Sequence, residues 1–170
     1  MLQEVECVSA FCYIGIIKNN EIERILKTMS KKLDIYLANL AVNYIKLHNL
    51  HWNVVGKSFK QAHEYLEEIY DATTESLDAV AEYQKMTGDF PKASLKSYLE
   101  LATIKELESK EYKIDEALNT VLEDQKLLRD LATKIRNEAD EKNEFGLVAL
   151  MEDEVAAQTK RIWFIESMLK

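Results

Sequence analysis

His51-Trp52-Asn53-Val54-Val55-Gly56-Lys57-Ser58-Phe59-Lys60-Gln61-Ala62-His63 is the stretch on which the fold turns. Upstream of it, Leu33, Leu37, Leu40, Tyr44, Leu47 and His51 recur at spacings of 4-3-4-3-4, the period of an amphipathic helix. Downstream, Phe59, Ala62, Leu66, Ile69, Thr73, Leu77 and Val80 share one side of a second helix. Gly56 is the expected C′ residue that ends the first helix. Ser58 and Gln61 form an S-x-x-Q capping box that starts the second. The stretch therefore reads as a tight turn between two long antiparallel helices.

The same period appears twice more. A third long helix repeats at Ile114, Leu118, Val121, Gln125, Leu128, Ala132 and Ile135, and a fourth at Met151, Val155, Gln158, Ile162, Ile165 and Leu169. Gly146 falls between these two patterns. The second helix should stop near Gly88, before Asp89-Phe90-Pro91, and residues Ser94 to Ala102 suit a short helix in the long connection. Tight link, long link, tight link implies an all-α four-helix bundle whose crossover carries a short extra helix. Residues 1–28 lie outside this scheme and read as an N-terminal extension to a bundle domain of residues 29–170. Met29-Ser30-Lys31-Lys32 also has the look of a protein start.

Composition agrees. The chain has 170 residues with only 4 glycines and 1 proline, too few for a turn-rich β architecture. The net charge of −8 disfavours general binding to phosphate backbones. No apolar run is long enough to span a membrane. The longest, Cys7 to Ile17, follows Glu4 and Glu6, where a signal peptide would place basic residues. Cys7 and Cys12 are the only cysteines, with no histidine near them to suggest a zinc motif, and a reducing cytoplasm is the expected compartment.

The informative feature is a second stripe on the second helix. His63, Glu67, Asp78 and Glu82 occupy offsets of 0, 4, 15 and 19, so they cluster on a face well separated from the apolar one. His63 and Asp78 lie about 22 Å apart by helical rise, too far for one ion to touch both on one straight helix. Either the two halves serve different purposes, or a second copy of the chain completes the set. Antiparallel pairing of this helix with a symmetry mate, centred near residues 72–73, would set His63 and Glu67 opposite the mate's Asp78 and Glu82. His51 lies five residues before Gly56 and His63 five after Ser58, so a hairpin brings both imidazoles to one level. Two carboxylates about 5 Å apart repel by roughly 3 kcal/mol at an effective dielectric near 20, and a divalent cation removes that penalty. Mixed imidazole and carboxylate ligands suit iron, with zinc and manganese as competitors. Against this, a single acid on a helix is ordinarily a solvated charge, His51 ends a core stripe, and Trp52 and the tyrosines read first as packing residues. His48, one turn before His51, reads as structural or surface.

At these residues the chain resembles the Dps-type miniferritins, the DNA-binding proteins from starved cells. His51-Trp52-Asn53-Val54-Val55-Gly56, Phe59 and His63-Glu64 resemble their HWN-x-x-G…F…HE signature, and Asp78-x-x-Ala81-Glu82 their D-x-x-AE segment. Ile162-Trp163-Phe164-Ile165-Glu166-Ser167 is similar to their C-terminal helix. The resemblance covers roughly residues 30–170 and implies a ferritin-like bundle assembled as a hollow dodecamer from two-fold dimers. It implies a cytoplasmic ferroxidase that oxidises Fe(II), with hydrogen peroxide preferred over oxygen, and stores Fe(III) as mineral against oxidative damage. By the family pattern His51, His63 and Glu67 come from one subunit and Asp78 and Glu82 from its two-fold neighbour. Trp52 would lie beside the centre and quench stray oxidising equivalents.

Some residues depart from the pattern. Glu67 stands where Asp is commoner, which lengthens the ligand arm, and Tyr83 stands where Arg is usual, which removes an ion pair. Lys57, Ser58 and Lys60 replace commoner hairpin residues. Residues 1–28 hold Lys18, Arg24 and Lys27 against Glu4, Glu6, Glu21 and Glu23, and twelve copies would carry about 12 × −8 ≈ −96 charges. DNA binding is therefore not expected without bridging cations. Asp140, Glu141, Glu144, Glu152 and Asp153 suit either a cation pore or a solvated loop. Two other functions compete. A larger ferritin or bacterioferritin relative would need E-x-x-H motifs for a centre inside one bundle, and no histidine here has Glu three residues before it. A non-catalytic helical assembly protein would use the polar stripe only as an interface.

Overall fold

A computed structural model describes the backbone of residues 4–170 and the side chains of residues 29–170. Its elements are α1 (Glu4–Asn53), β1 (Val54–Val55), α2 (Phe59–Met86), α3 (Leu95–Leu101), β2 (Tyr112–Lys113), α4 (Ile114–Glu141) and α5 (Phe145–Met168). The side chains of the expected extension, residues 1–28, lie outside the described residues. Four long helices and a short α3 in the crossover match the architecture expected from the periodicity.

Two helical hairpins make the bundle. In the first, Gln84 of α2 donates to Asp34 of α1 (3.0 Å) while His63 meets His51, so α1 and α2 run antiparallel. In the second, Arg136 of α4 bonds Glu152 of α5 (2.7 Å). Leu37, Leu40, Val80, Leu128, Ala132, Leu147 and Met151 fill one half of the core, and Leu47, Leu50, Leu66, Ile69, Leu118, Val121 and Ile165 the other. Where the halves meet, every long helix contributes buried polar groups: Asn43 and Lys46, Thr73 and Ser76, Asp124 and Gln125, Glu154 and Gln158. Lys46 pairs with Asp124 at 2.7 Å. Burial pushes the Asp124 carboxyl up, and the Lys46 ammonium partly offsets this. Tyr36 donates to Glu154 (2.6 Å) and accepts from Gln158 (2.9 Å).

The links differ in detail from the sequence expectations. Gly56 is not the C′ residue of α1, because the helix already ends at Asn53 and the β-branched Val54 and Val55 pair in parallel with Tyr112 and Lys113. Gly56 follows with φ 152°, and a Cβ there would sit 2.8 Å from Ile114 Cδ1, so the close approach of α4 demands glycine. Ser58 does occupy the N-cap of α2, but at φ −100°, ψ 33° its side chain makes no capping bond, so the expected capping box is not formed. At the end of α2, Gly88 (φ 90°) and Asp89 donate to Lys85 and Gln84 carbonyls, a Schellman motif. The α4–α5 turn uses the same device with Asn143 (φ 59°) in the left-handed position, where Asn is tolerated. Gly146, expected to punctuate that link, lies instead in the first turn of α5. Ser94 caps α3 by accepting from Ser97 N–H.

Candidate metal centre

Hairpin geometry brings the last turn of α1 beside the start of α2. His51 Nδ1 lies 2.9 Å from the His63 carbonyl oxygen, and His63 Nδ1 lies 2.8 Å from the His51 carbonyl oxygen. A carbonyl can only accept, so each Nδ1 carries the proton and donates. In the neutral ring Nε2 then keeps its lone pair, the tautomer that binds a metal. The rings stack 3.6 Å apart at 21°, and the Phe59 ring lies 5.1 Å from His63. His51 is buried, His63 half-buried and Glu67, one turn further along α2, exposed. Ligand atoms of His51, His63 and Glu67 all lie within 4.8 Å of one another. Ligand bonds of about 2.0–2.2 Å span roughly 4 Å across one ion, so a small closure of these side chains suffices to grip it. Among the described residues this is the one such grouping.

Asp78 and Glu82 are exposed on the same helix and are not part of this grouping. One chain thus gathers three of the five expected ligands and leaves two pointing to solvent further down α2. The middle of the bundle holds Lys46–Asp124 and Tyr36–Glu154–Gln158, not the Glu and Glu-x-x-His set of an intrasubunit di-metal centre. A groove of about 790 Å³ between the hairpin loop and α4 contains none of the five residues.

Trp52 is exposed, and its ring meets His48 edge-on at 5.3 Å rather than the His51 and His63 imidazoles. His48 is structural, as one sequence reading had it: its Nδ1 donates to the Tyr44 carbonyl (2.9 Å), and its ring stacks on Tyr70 at 4.0 Å. Tyr70 escaped the sequence reading. It meets His51 edge-on at 5.2 Å and Tyr44 at 6.2 Å. Desolvation first, then Glu67, hold this phenol above its ordinary range. The available signal was spacing, because Tyr70 stands three residues after Glu67 on one helix face. Tyr83, in the place usual for Arg, lies against Gly146 instead of pairing with an acid. Of the acids considered for a pore, Asp140 and Glu152 are both tied to Arg136, at 3.0 and 2.7 Å. No described helix is long and apolar enough to cross a membrane.

Comparison with known proteins places the fold. The ferritin-like domain family matches residues 30–170. Antigen TpF1 of Treponema pallidum is 35% identical over 86% of this chain and 83% of its own. Its crystal structure superposes with a TM-score of 0.85, covering 86% of this chain and 94% of that one. A DNA protection during starvation protein of Helicobacter pylori is 30% identical over 78% of this chain and 92% of its own. A Dps protein from Vibrio cholerae O1, described as a member of a broad superfamily of ferritin-like diiron-carboxylate proteins, is 28% identical. It has a TM-score of 0.83 and covers 86% of this chain and 92% of that one.

Proposed function

This chain belongs to the ferritin-like family as a Dps-type miniferritin, and from that premise we propose that it is a cytoplasmic ferroxidase and iron store. The observation that carries the reading is the crossed pair of Nδ1–H···O=C bonds, which occupies both Nδ1 atoms in a grouping of His51, His63 and Glu67 whose ligand atoms lie within 4.8 Å of one another. Two neutral nitrogens and one carboxylate make a mixed, incompletely closed ligand set, suited to a substrate ion that must enter, react and leave. Fe(II) is that substrate, and zinc or manganese would compete for the same ligands.

Asp78 and Glu82 of a two-fold-related copy complete the site in this account. Antiparallel α2 helices crossing near residues 72–73 would create two equivalent centres per dimer. Six such dimers form the proposed hollow dodecamer, with residues 29–170 as the functional unit and residues 1–28 as an extension to it. Hydrogen peroxide is the preferred oxidant, accepting two electrons from two Fe(II) so that radical release is limited, and Fe(III) passes inward as mineral. Trp52 serves as an outer reductant for escaping oxidising equivalents. The net charge of −8 favours cation entry and disfavours DNA. Stopped-flow mixing of Fe(II)-loaded protein with peroxide or oxygen, with native mass measurement before and after, tests the whole reading. A dodecamer that gains iron mass faster with peroxide supports it. A monomer that consumes no Fe(II) refutes it, and intact activity in the Asp78→Ala variant refutes the shared site.

A further inference from the structure

Three long helices interrupt their apolar stripes at one level of the bundle. Asn43 stands between Leu40 and Leu47 on α1, Gln125 between Leu122 and Leu128 on α4, and Glu154 and Gln158 between Met151 and Ile162 on α5. Pairing of Val54 with Tyr112 sets the end of α1 level with the start of α4. Asn43 comes eleven residues before Val54 and Gln125 thirteen after Tyr112, so both lie roughly 16–20 Å down the bundle. Three links tie the helices together around this level. Lys46 meets Asp124 at 2.7 Å, Arg161 reaches Gln125 Oε1 at 3.5 Å, and Gln158 donates to the Tyr36 hydroxyl at 2.9 Å.

The amides of Asn43, Gln125 and Gln158 are fully buried and incompletely bonded. Asn43 Nδ2 and Oδ1, Gln125 Nε2 and Gln158 Oε1 have no hydrogen-bond partner in the chain. Of the other such atoms among the described residues, Asp124 Oδ2 has the Lys46 ammonium beside it, and Gln84 Oε1 lies near Asp34, towards the far end of α2. Neighbours fix which way each glutamine faces. Arg161 can only donate, so the Gln125 oxygen faces it and the Gln125 NH2 is left over. Glu154 accepts from the Gln158 NH2 at 3.0 Å, which leaves the Gln158 oxygen. Asn43 offers one donor group and one acceptor whichever way its amide is turned. Buried polar groups are ordinarily bonded to protein or to ordered water.

We propose that this layer is a binding site for internal water, with two molecules bridging Gln125 to Asn43 and Asn43 to Gln158. The first accepts from Gln125 Nε2 and donates to Asn43 Oδ1. The second accepts from Asn43 Nδ2 and donates to Gln158 Oε1. A bond between the two waters gives each three partners, the usual number for a buried water. The alternation of donor and acceptor selects the ligand. Each bridge must accept at one end and donate at the other, which a metal ion, a halide and an ammonium ion all fail to do. Side-chain length leaves room for them. Asn43 is shorter than the leucines on either side of it, and Thr73, brought to the same level by the meeting of His51 with His63, is shorter than Ile69. A groove of about 690 Å³ lined in part by Lys46 and Asp124 gives solvent a route inward when that ion pair opens. The site stands apart from the ferroxidase reading, because no residue of the metal centre takes part.

A high-resolution crystal structure of the full chain, with oxygen-17 relaxation dispersion of its native assembly, tests this. The map should show two peaks per chain, each about 2.7–3.2 Å from one Asn43 amide atom and one glutamine amide atom. The relaxation count of long-lived waters should fall by two per chain in Asn43→Leu and by one in Gln158→Met. The parent map needs no variant to fold. Asn43 bonded directly to both glutamines, a map without the peaks, or a peak ligated at cation distances overturns the proposal. An unchanged water count in Asn43→Leu overturns it as well.

Discussion

Removing one imidazole tests the centre and the hairpin together. In His63→Ala the variant loses the Nδ1–H bond to the His51 carbonyl (2.8 Å), with a net worth of about 1 kcal/mol. It also loses the 3.6 Å stack on His51, and a specific ring–ring contact contributes about 0.5–1.5 kcal/mol. The metal-free variant should therefore be about 2 kcal/mol less stable. At roughly 2–4 °C per kcal/mol for a chain of this size, its Tm should fall by about 4–8 °C. Ligand binding separates the two effects. Zn(II) at about 100 times its Kd stabilises a one-site protein by about 2.7 kcal/mol, which raises the parent's Tm by roughly 5–11 °C. His63→Ala removes one of two nitrogen ligands and frees His51 to rotate, so the same Zn(II) concentration should leave its Tm nearly unmoved. The assay is a pair of thermal melts, with and without Zn(II), for parent and variant. A variant that keeps the full Zn(II)-induced rise refutes the assignment of this imidazole as a ligand. An unchanged metal-free Tm refutes the claim that the crossed bonds hold the hairpin.

Other outcomes follow from the links and the buried layer. Gly56→Ala must fit a Cβ 2.8 Å from Ile114 at φ 152° and should lose about 2 kcal/mol or more in chemical denaturation. Asn143→Ala places a residue without a local hydrogen-bonding side chain at φ 59° and should cost about 1 kcal/mol by the same measurement. Lys46→Met strands the buried Asp124 carboxylate and should cost about 3–5 kcal/mol at neutral pH, while Lys46→Met with Asp124→Leu recovers most of it. Asp124 already has a folded-state pKa above its ordinary one, and losing Lys46 raises it further. Such a group supports the fold when protonated, and that support is lost as pH rises through the folded value. The Lys46→Met deficit should therefore shrink in urea titrations as pH falls toward about 4, the ordinary Asp range.

Local patterns carried most of the architecture. The 4-3-4-3-4 spacing of α1 and its counterparts on α2, α4 and α5 names the residues that fill the core, and Ser94 marks the start of α3. The pairing of His51 with His63 was legible because both stand equally far from one turn. Features that depend on a distant segment were not. Gly56 is fixed by Ile114 of α4, and β1 exists because Tyr112 lies beside Val54. Asn143 took the turn that Gly146 was expected to make, since both residues tolerate the left-handed conformation such a link needs. Ser58 has the right letter for a cap but not the backbone angles. Tyr70 was hidden because its ring gains meaning only when α1 brings His48 and His51 against it. Asp78 and Glu82 are read from sequence as ligands for a second copy, and their exposure on α2 keeps them free of this chain's own core.

Complementation of two defective chains tests the shared centre most directly. One variant carries His51→Ala and His63→Ala, the other Asp78→Ala and Glu82→Ala, and each alone should be inactive with Fe(II) and peroxide. Co-assembled in equal amounts, half of the two-fold pairs are mixed, and each mixed pair holds one whole centre of two, so about one quarter of parental activity should return. Activity in the Asp78→Ala, Glu82→Ala variant by itself, or no recovery in mixed assemblies whose composition is confirmed by native mass, would contradict a centre built by two copies.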